Sequence, residues 1–227
     1  MRRPVITIDG PAGSGKSTIS RLLAEHFSYI YLDTGALYRA VAYRLVASGF
    51  HDLNQEALDL CRRSVVSLQK REGQLRVCVD GEDVTLKIRT EQIGLFASRV
   101  SSSPIIREIL LDVQRNTAKV GGVVAEGRDM GTVVFPDALF KFFLDASIHA
   151  RAKRRHLELL ERGERVMLAD VEEDMMLRDR QDTERAVAPL VAAPDAVIID
   201  STDKTIAQVV SVMIDVIENS RHYQEPQ

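Results

Sequence analysis

Val5-Ile6-Thr7-Ile8-Asp9-Gly10-Pro11-Ala12-Gly13-Ser14-Gly15-Lys16-Ser17 carries most of the decision about the fold. Its first four residues form a short β-branched run ended by Asp9-Gly10, which predicts a buried strand. From Gly10 to Ser17 the chain follows the pattern glycine, four residues, glycine, lysine, serine. Beyond it Ile19, Leu22, Leu23 and Phe27 recur at helical spacing, so residues 17–27 are expected to be a helix. At average residue frequencies, a chance match somewhere in a chain of this length arises about once in a hundred. The strand–loop–helix setting sharpens it further. Glycines let successive N–H groups turn inward, and the helix N-terminus adds positive potential where phosphate charge would sit. Lys16 is expected to reach β- and γ-phosphates, and the Ser17 hydroxyl to ligate Mg²⁺. The loop therefore reads as a nucleoside triphosphate site built from Gly10, Pro11, Ala12, Gly13, Ser14, Gly15, Lys16, Ser17 and Thr18.

Outward from this loop, apolar runs at 29–32, 123–125, 139–144 and 196–199 read as further strands. Helical spacing is expected at 36–47, 104–117, 147–162, 171–184 and 205–219. Strands alternating with helices imply an α/β chain with a mostly parallel sheet covered on both faces. Residues 64–90 break the rhythm. They alternate, with turn signals at Glu72-Gly73 and Asp80-Gly81, and predict a small antiparallel insertion of three strands. The polar residues 221–227 are expected to fray.

The length of 227 residues favours one domain with insertions. Hydrophobic residues at 45% and charged residues at 28% are ordinary for a globular domain. The formal charge of −3 gives no overall field for nucleic acid or an anionic membrane, so phosphate affinity must come from local clusters. No apolar run approaches the roughly 20 residues of a membrane span. The first residues run straight into a strand without the apolar stretch of a signal peptide, so the cytoplasm is the expected location. Cys61 and Cys78 suit unpaired thiols better than a disulfide scaffold or zinc site. The five histidines show no metal-ligand spacing. Met175-Met176 reads as core packing.

The loop alone does not name a reaction. No Asn-Lys-x-Asp segment of the guanine-reading type occurs, which weighs against a regulatory GTPase. Arginines cluster at Arg39, Arg107, Arg128, then Arg151, Arg154 and Arg155, then Arg178 and Arg185. A site moving a phosphoryl group between two anions needs several such planar cations. Arg178, Asp182 and Arg185 stand at i, i+4 and i+7, a spacing that puts all three on one helix face. Arg128-Asp129 follows the 123–125 strand, at the end where parallel sheets place ligands.

Taken together these segments resemble the bacterial cytidylate kinase family from end to end. The likeness rests on Ile8 to Thr18, Leu32-Asp33-Thr34-Gly35-Ala36-Leu37-Tyr38-Arg39, and Gly127-Arg128-Asp129-Met130-Gly131-Thr132-Val133-Val134-Phe135-Pro136-Asp137-Ala138. Arg178-Asp179-Arg180-Gln181-Asp182 and Arg185-Ala186-Val187-Ala188-Pro189-Leu190 complete it. The first block is generic to P-loop kinases; the others together are specific. The resemblance implies a five-stranded parallel sheet, a mobile lid at about 151–167, and a monophosphate-binding part enlarged by an insertion at about 61–99. It implies ATP as phosphoryl donor, Mg²⁺, and CMP and dCMP as acceptors. By similarity Ser98, Arg107 and Asp129 would contact cytosine, Arg178 and Asp182 the sugar hydroxyls, and Arg39, Arg128 and Arg185 the acceptor phosphate. Thr34 stands where the family often has serine, and Glu126 where aspartate is common.

Cytosine offers an N4 amino donor and acceptors at N3 and O2, which suit a carboxylate and a guanidinium. Uracil inverts that edge and would leave a buried charge unpaired. In-line transfer needs no general base, because a phosphate with its second pKa at about 6 is already mostly anionic at neutral pH. Lys16, Arg128 and the lid arginines Arg151, Arg154 and Arg155 are the expected charge-screening groups. Two other readings stay open: a kinase for another monophosphate such as UMP, and a module that holds ATP without transferring its phosphate. A monomer is expected from the lack of tryptophan and the ordinary surface charge.

Overall fold

The computed structural model describes residues 3–71 and 73–220. The Glu72 half of the first expected turn, the tail at 221–227 and His222 lie outside the described residues. Strand β1 (Val5–Asp9) pairs in parallel with β6 (Val123–Gly127) on one side and β7 (Phe140–Asp145) on the other. With β2 (Ile30–Asp33) and β8 (Val197–Asp200) they form a five-stranded parallel sheet of order β2-β6-β1-β7-β8. The two-residue period of a strand sends Ile6 and Ile8 to one face and Val5 to the other. On the first face Ile6, Ile8, Phe142 and Leu144 pack against α1 (Lys16–His26) and α8 (Ile206–Glu218) through Ile19, Leu23, Val209 and Met213. On the second, Leu32, Val123 and Ala125 pack with Met130 and Val134.

A second sheet is antiparallel, with β3 (Val66–Arg71), β4 (Gln74–Val79) and β5 (Glu82–Asp83) in sequence order. Its three strands are the ones expected, although the last is only two residues long. Val66, Val77 and Val79 join a core with α2 (Thr34–Ala47), α4 (Glu91–Val100) and α5 (Pro104–Thr117). The expected list lacks α4 and α3 (Gln55–Arg63), short helices opened by Thr90 and Asn54 caps. Helices α6 (Ile148–Glu161) and α7 (Leu168–Glu184) form a hairpin sealed by Ala152, Leu159, Val171 and Met175.

Three expectations change. Met176 is 53% exposed, so only Met175 of that pair packs inward. Helix α7 ends at Glu184 and Arg185 is extended (φ −63°, ψ 139°), so Arg185 leaves the helix face it was expected to share with Arg178 and Asp182. Residues 130–134, read only as part of a motif, form a π-helical turn. Cys61 and Cys78 are buried free thiols. No helix among the described residues is long and apolar enough to cross a membrane.

Candidate active site

The carboxyl ends of β1, β2 and β6 open into a cleft of about 730 Å³, where parallel sheets bind their ligands. The phosphate loop fills its floor. Gly10 has φ 148°, and a Cβ there would lie 2.0 Å from the Leu144 carbonyl oxygen, so the loop can leave β1 against β7 only with glycine. At Gly13 (φ 74°) a Cβ would press on Met175 and Arg151, because the α6–α7 hairpin backs the loop. Helix α1 opens on Gly15 with no side-chain cap, unlike α2, α3, α4, α6 and α8, so its first N–H groups are not capped by a side chain. Lys16 Nζ donates to the Pro11 carbonyl (2.6 Å) and toward Ser14 Oγ (3.4 Å). Burial, with Arg128 nearby, pushes its pKa down to about 7, opposed by Glu126 and Asp9.

Beside the loop, Ser17 Oγ donates to Glu126 Oε2 at 3.1 Å, and the Tyr31 hydroxyl donates to Glu126 Oε1. Glu126 is the register partner of Asp33 across β2 and β6. Burial and then Asp33 push the Glu126 carboxyl up, a charge deficit that a cation would relieve. A hydroxyl and a buried carboxylate, all oxygen donors, fit Mg²⁺, which typically takes one or two protein ligands and completes its shell with water and phosphate. Thr34 Oγ1 donates to the Glu126 carbonyl at 2.7 Å, tying α2 to β6.

Across the cleft the arginines separate into two groups. Arg128 Nε donates to Asp182 Oδ2 at 2.7 Å, and Arg185 reaches Asp182 Oδ1 at 3.9 Å. Arg39 and Arg178 are half-buried, and no hydrogen bond or ion pair ties either to another described residue. Burial lowers both guanidinium pKa values, that of Arg178 to about 10, with Arg128 adding to the burial effect there. Partly desolvated cations crowded together, with Arg39 and Arg178 in no direct ion pair among the described residues, make an anion site.

The second group is tighter. Asp129, 2% exposed, accepts from Arg107 Nη2, and Arg185 Nη2 stands 3.9 Å from its other oxygen. Burial pushes the Asp129 carboxyl up while Arg107 and Arg185 pull it back. Arg107 also donates to the Ser101 carbonyl at 3.1 Å and lies over the Tyr38 ring. Ser98 lines the same cleft. A carboxylate and a guanidinium buried side by side offer an acceptor and donors to one edge of a planar ligand.

The three hairpin arginines do different things. Arg155 faces the cleft and pairs with Glu91 on α4, across the opening, and with Glu158 at 3.0 Å. Arg154, also in the lining, holds the Ser201 carbonyl at 2.6 Å. Arg151 is 5% exposed and does not line the cleft. It grips the outer side of the phosphate loop, donating to the Ala12 carbonyl (3.1 Å) and the Ala146 carbonyl (2.8 Å), with Asp179 at 2.6 Å. Its catalytic expectation came from clustering with Arg154 and Arg155. The spacing cannot distinguish a helix side that faces ligand from one that braces a loop.

Sequence reasoning passed over Tyr31, Glu91 and Asp9. In the sequence Tyr31 reads as strand filling, Glu91 falls outside every expected helix, and Asp9 reads as a strand end. A usable signal existed for Asp9, an acid placed immediately before a phosphate loop where repulsion makes it costly.

A phosphate loop at the C-terminal edge of a parallel sheet, facing a second arginine-lined anion site in one cleft, defines the P-loop kinase class. The family model described as "Cytidylate kinase" matches residues 6–219. Relatives named "Cytidylate kinase" include those of Citrifermentans bemidjiense (48% identical, 92% of this chain and 90% of the relative) and Pseudomonas syringae pv. tomato (48%, 92% and 93%). That of Methylococcus capsulatus is 43% identical over 95% of this chain and 97% of the relative. The chain belongs to the cytidylate kinase family.

Proposed function

We propose that the chain transfers the γ-phosphoryl group of ATP to CMP and dCMP, giving CDP and dCDP. The observation that carries this reading is the buried Arg107–Asp129 pair opening into the same cleft as the phosphate loop. In this reading Asp129 accepts from the cytosine N4 amino group and Arg107 donates to its ring acceptors, with Ser98 beside them. Arg39 and Arg128 hold the acceptor phosphate, and Arg185 steadies both Asp129 and the phosphate side. Arg178 and Asp182 take the sugar hydroxyls. The guanidinium of Arg178, its pKa lowered by burial and then by Arg128 and Arg39, adds to the positive field that draws the phosphate.

A CMP phosphate oxygen attacks the γ-phosphorus as the bond to the β–γ bridging oxygen breaks, and ADP leaves with that electron pair. The acceptor oxygen is anionic already, so the protein supplies alignment and charge screening instead of a base. Lys16 moves from the Pro11 carbonyl to the β- and γ-phosphates, and the loop N–H groups hold the chain in line. Ser17 and Glu126 would hold Mg²⁺, with Tyr31 keeping the Glu126 carboxylate turned toward Ser17. Bound there, the ion screens the triphosphate charge. Arg151 braces the loop from behind, while Arg154 and Arg155 close residues 151–167 over the phosphates and exclude water. The chain acts as a monomer of one domain in the cytoplasm, on free nucleotides and not on nucleic acid or a membrane.

ADP release measured with CMP, dCMP, UMP and AMP as acceptors tests the reading. Turnover with CMP and dCMP well above that with UMP and AMP is expected. ATP binding without any acceptor-dependent ADP would overturn it.

A further inference from the structure

The π-helical turn at Met130–Val134 follows directly on Asp129, and its geometry is wider than an α-turn: Phe135 N–H donates to the Met130 carbonyl at 2.7 Å and Val134 N–H to the Asp129 carbonyl at 3.1 Å. Such turns leave end groups that need partners from elsewhere. Here both ends have one. The N–H groups of Met130 and Gly131 donate to the two carboxylate oxygens of Asp9, each at 2.8 Å. The carbonyls of Val133 and Val134 accept from Arg115 Nη2 and Nε at 3.0 and 3.1 Å.

The two clamping residues occupy informative positions. Asp9 is the last residue of β1, covalently joined to Gly10 of the phosphate loop and 3% exposed. Arg115 lies on α5, the helix that also carries Arg107 to Asp129. Space around the turn is tight: a Cβ on Gly131 would lie 3.2 Å from Thr7 Oγ1 and Lys141 Cδ, and Met130 is fully buried. Main-chain movement of the turn therefore carries Asp129 with it.

We propose that Asp9 and Arg115 are positioning residues: by clamping the two ends of this turn they fix the Asp129 carboxylate relative to the phosphate loop, and the preference for a cytosine acceptor depends on them. This rests on the reading of Asp129 given above. Neither residue lines the cleft. Asp9→Asn is isosteric but turns one N–H acceptor into an N–H donor facing a donor, and Arg115→Met keeps the stem while removing both donors.

The test compares wild type, D9N and R115M with CMP and UMP as acceptors at saturating ATP, alongside ATP affinity without acceptor and the melting temperature. Losing a charge-assisted clamp should raise the KM for CMP about tenfold in D9N and lower the CMP:UMP ratio of kcat/KM by a similar factor. ATP affinity should stay within about threefold in R115M, whose side chain touches only the turn; D9N also removes a charge that acts on Lys16, so the CMP:UMP ratio is its readout. R115M should shift the same ratio in the same direction, about threefold or more, and it decides the matter alone should D9N fail to fold. An unchanged CMP:UMP ratio in the folded variants, or equal losses of CMP and ATP binding in R115M, overturns the clamp while leaving the kinase reading intact. A wild-type protein that does not phosphorylate CMP overturns both.

Discussion

Lys16 gives a quantity that can be worked out in advance. Its ammonium is buried and donates to the Pro11 carbonyl, and burial together with Arg128 brings its pKa down to about 7. At pH 8 the free protein then holds this proton in about one molecule in ten. A bound triphosphate sets anionic oxygens against Nζ and restores the charged form, so binding takes up most of one proton at that pH. The sign follows: because the bound state holds the extra proton, ATP affinity falls as pH rises above about 7, approaching tenfold per pH unit. The lysine also acts on stability. Its folded pKa lies below the unfolded one, so the cost of the buried charge is full below pH 7 and is relieved as pH climbs toward the ordinary lysine range. Calorimetric titration with MgATP in two buffers of different ionisation enthalpy, for wild type and Lys16→Met, measures the uptake. Zero uptake by wild type at pH 8, or the same uptake in the methionine variant, would refute the reasoning.

Gly10→Ala would place a methyl 2.0 Å from the Leu144 carbonyl at a φ of 148°. The expected loss exceeds about 3 kcal/mol in urea unfolding, and a smaller loss contradicts the close approach of β1 and β7. Glu91→Gln removes the ion pair with Arg155 across the cleft mouth, where the two side chains keep 43% and 24% exposure. Stability should move by less than about 1 kcal/mol. The released Arg155 should lower the KM for ATP two- to threefold, on the order of one weak ion pair; a raised KM would show that Glu91 is not its competitor.

The parallel sheet was legible in the sequence because every strand is a short apolar run between turn residues, and the phosphate loop because its chemistry demands glycine and lysine at fixed places. The antiparallel insertion was legible from its alternation and the Asp80-Gly81 turn. Helices α3 and α4 were not, since nine or ten residues give fewer than three turns of hydrophobic period. The π-helical turn leaves no periodic trace at all, and its partners Asp9 and Arg115 lie far away in sequence. Arg185 illustrates the limit of spacing arguments: the i, i+4, i+7 pattern is present, but the chain has left the helix when it reaches the third position. Arg151 illustrates another, because the same cation that suits a phosphate also suits the carbonyls of a loop that needs bracing.

The fate of an isotopically labelled γ-phosphoryl group tests the central claim most directly. Incubating the protein with γ-labelled ATP, Mg²⁺ and CMP should move the label into the terminal phosphate of CDP, one for each ADP formed. Label recovered as inorganic phosphate, or left in ATP while CMP is bound, would contradict the account.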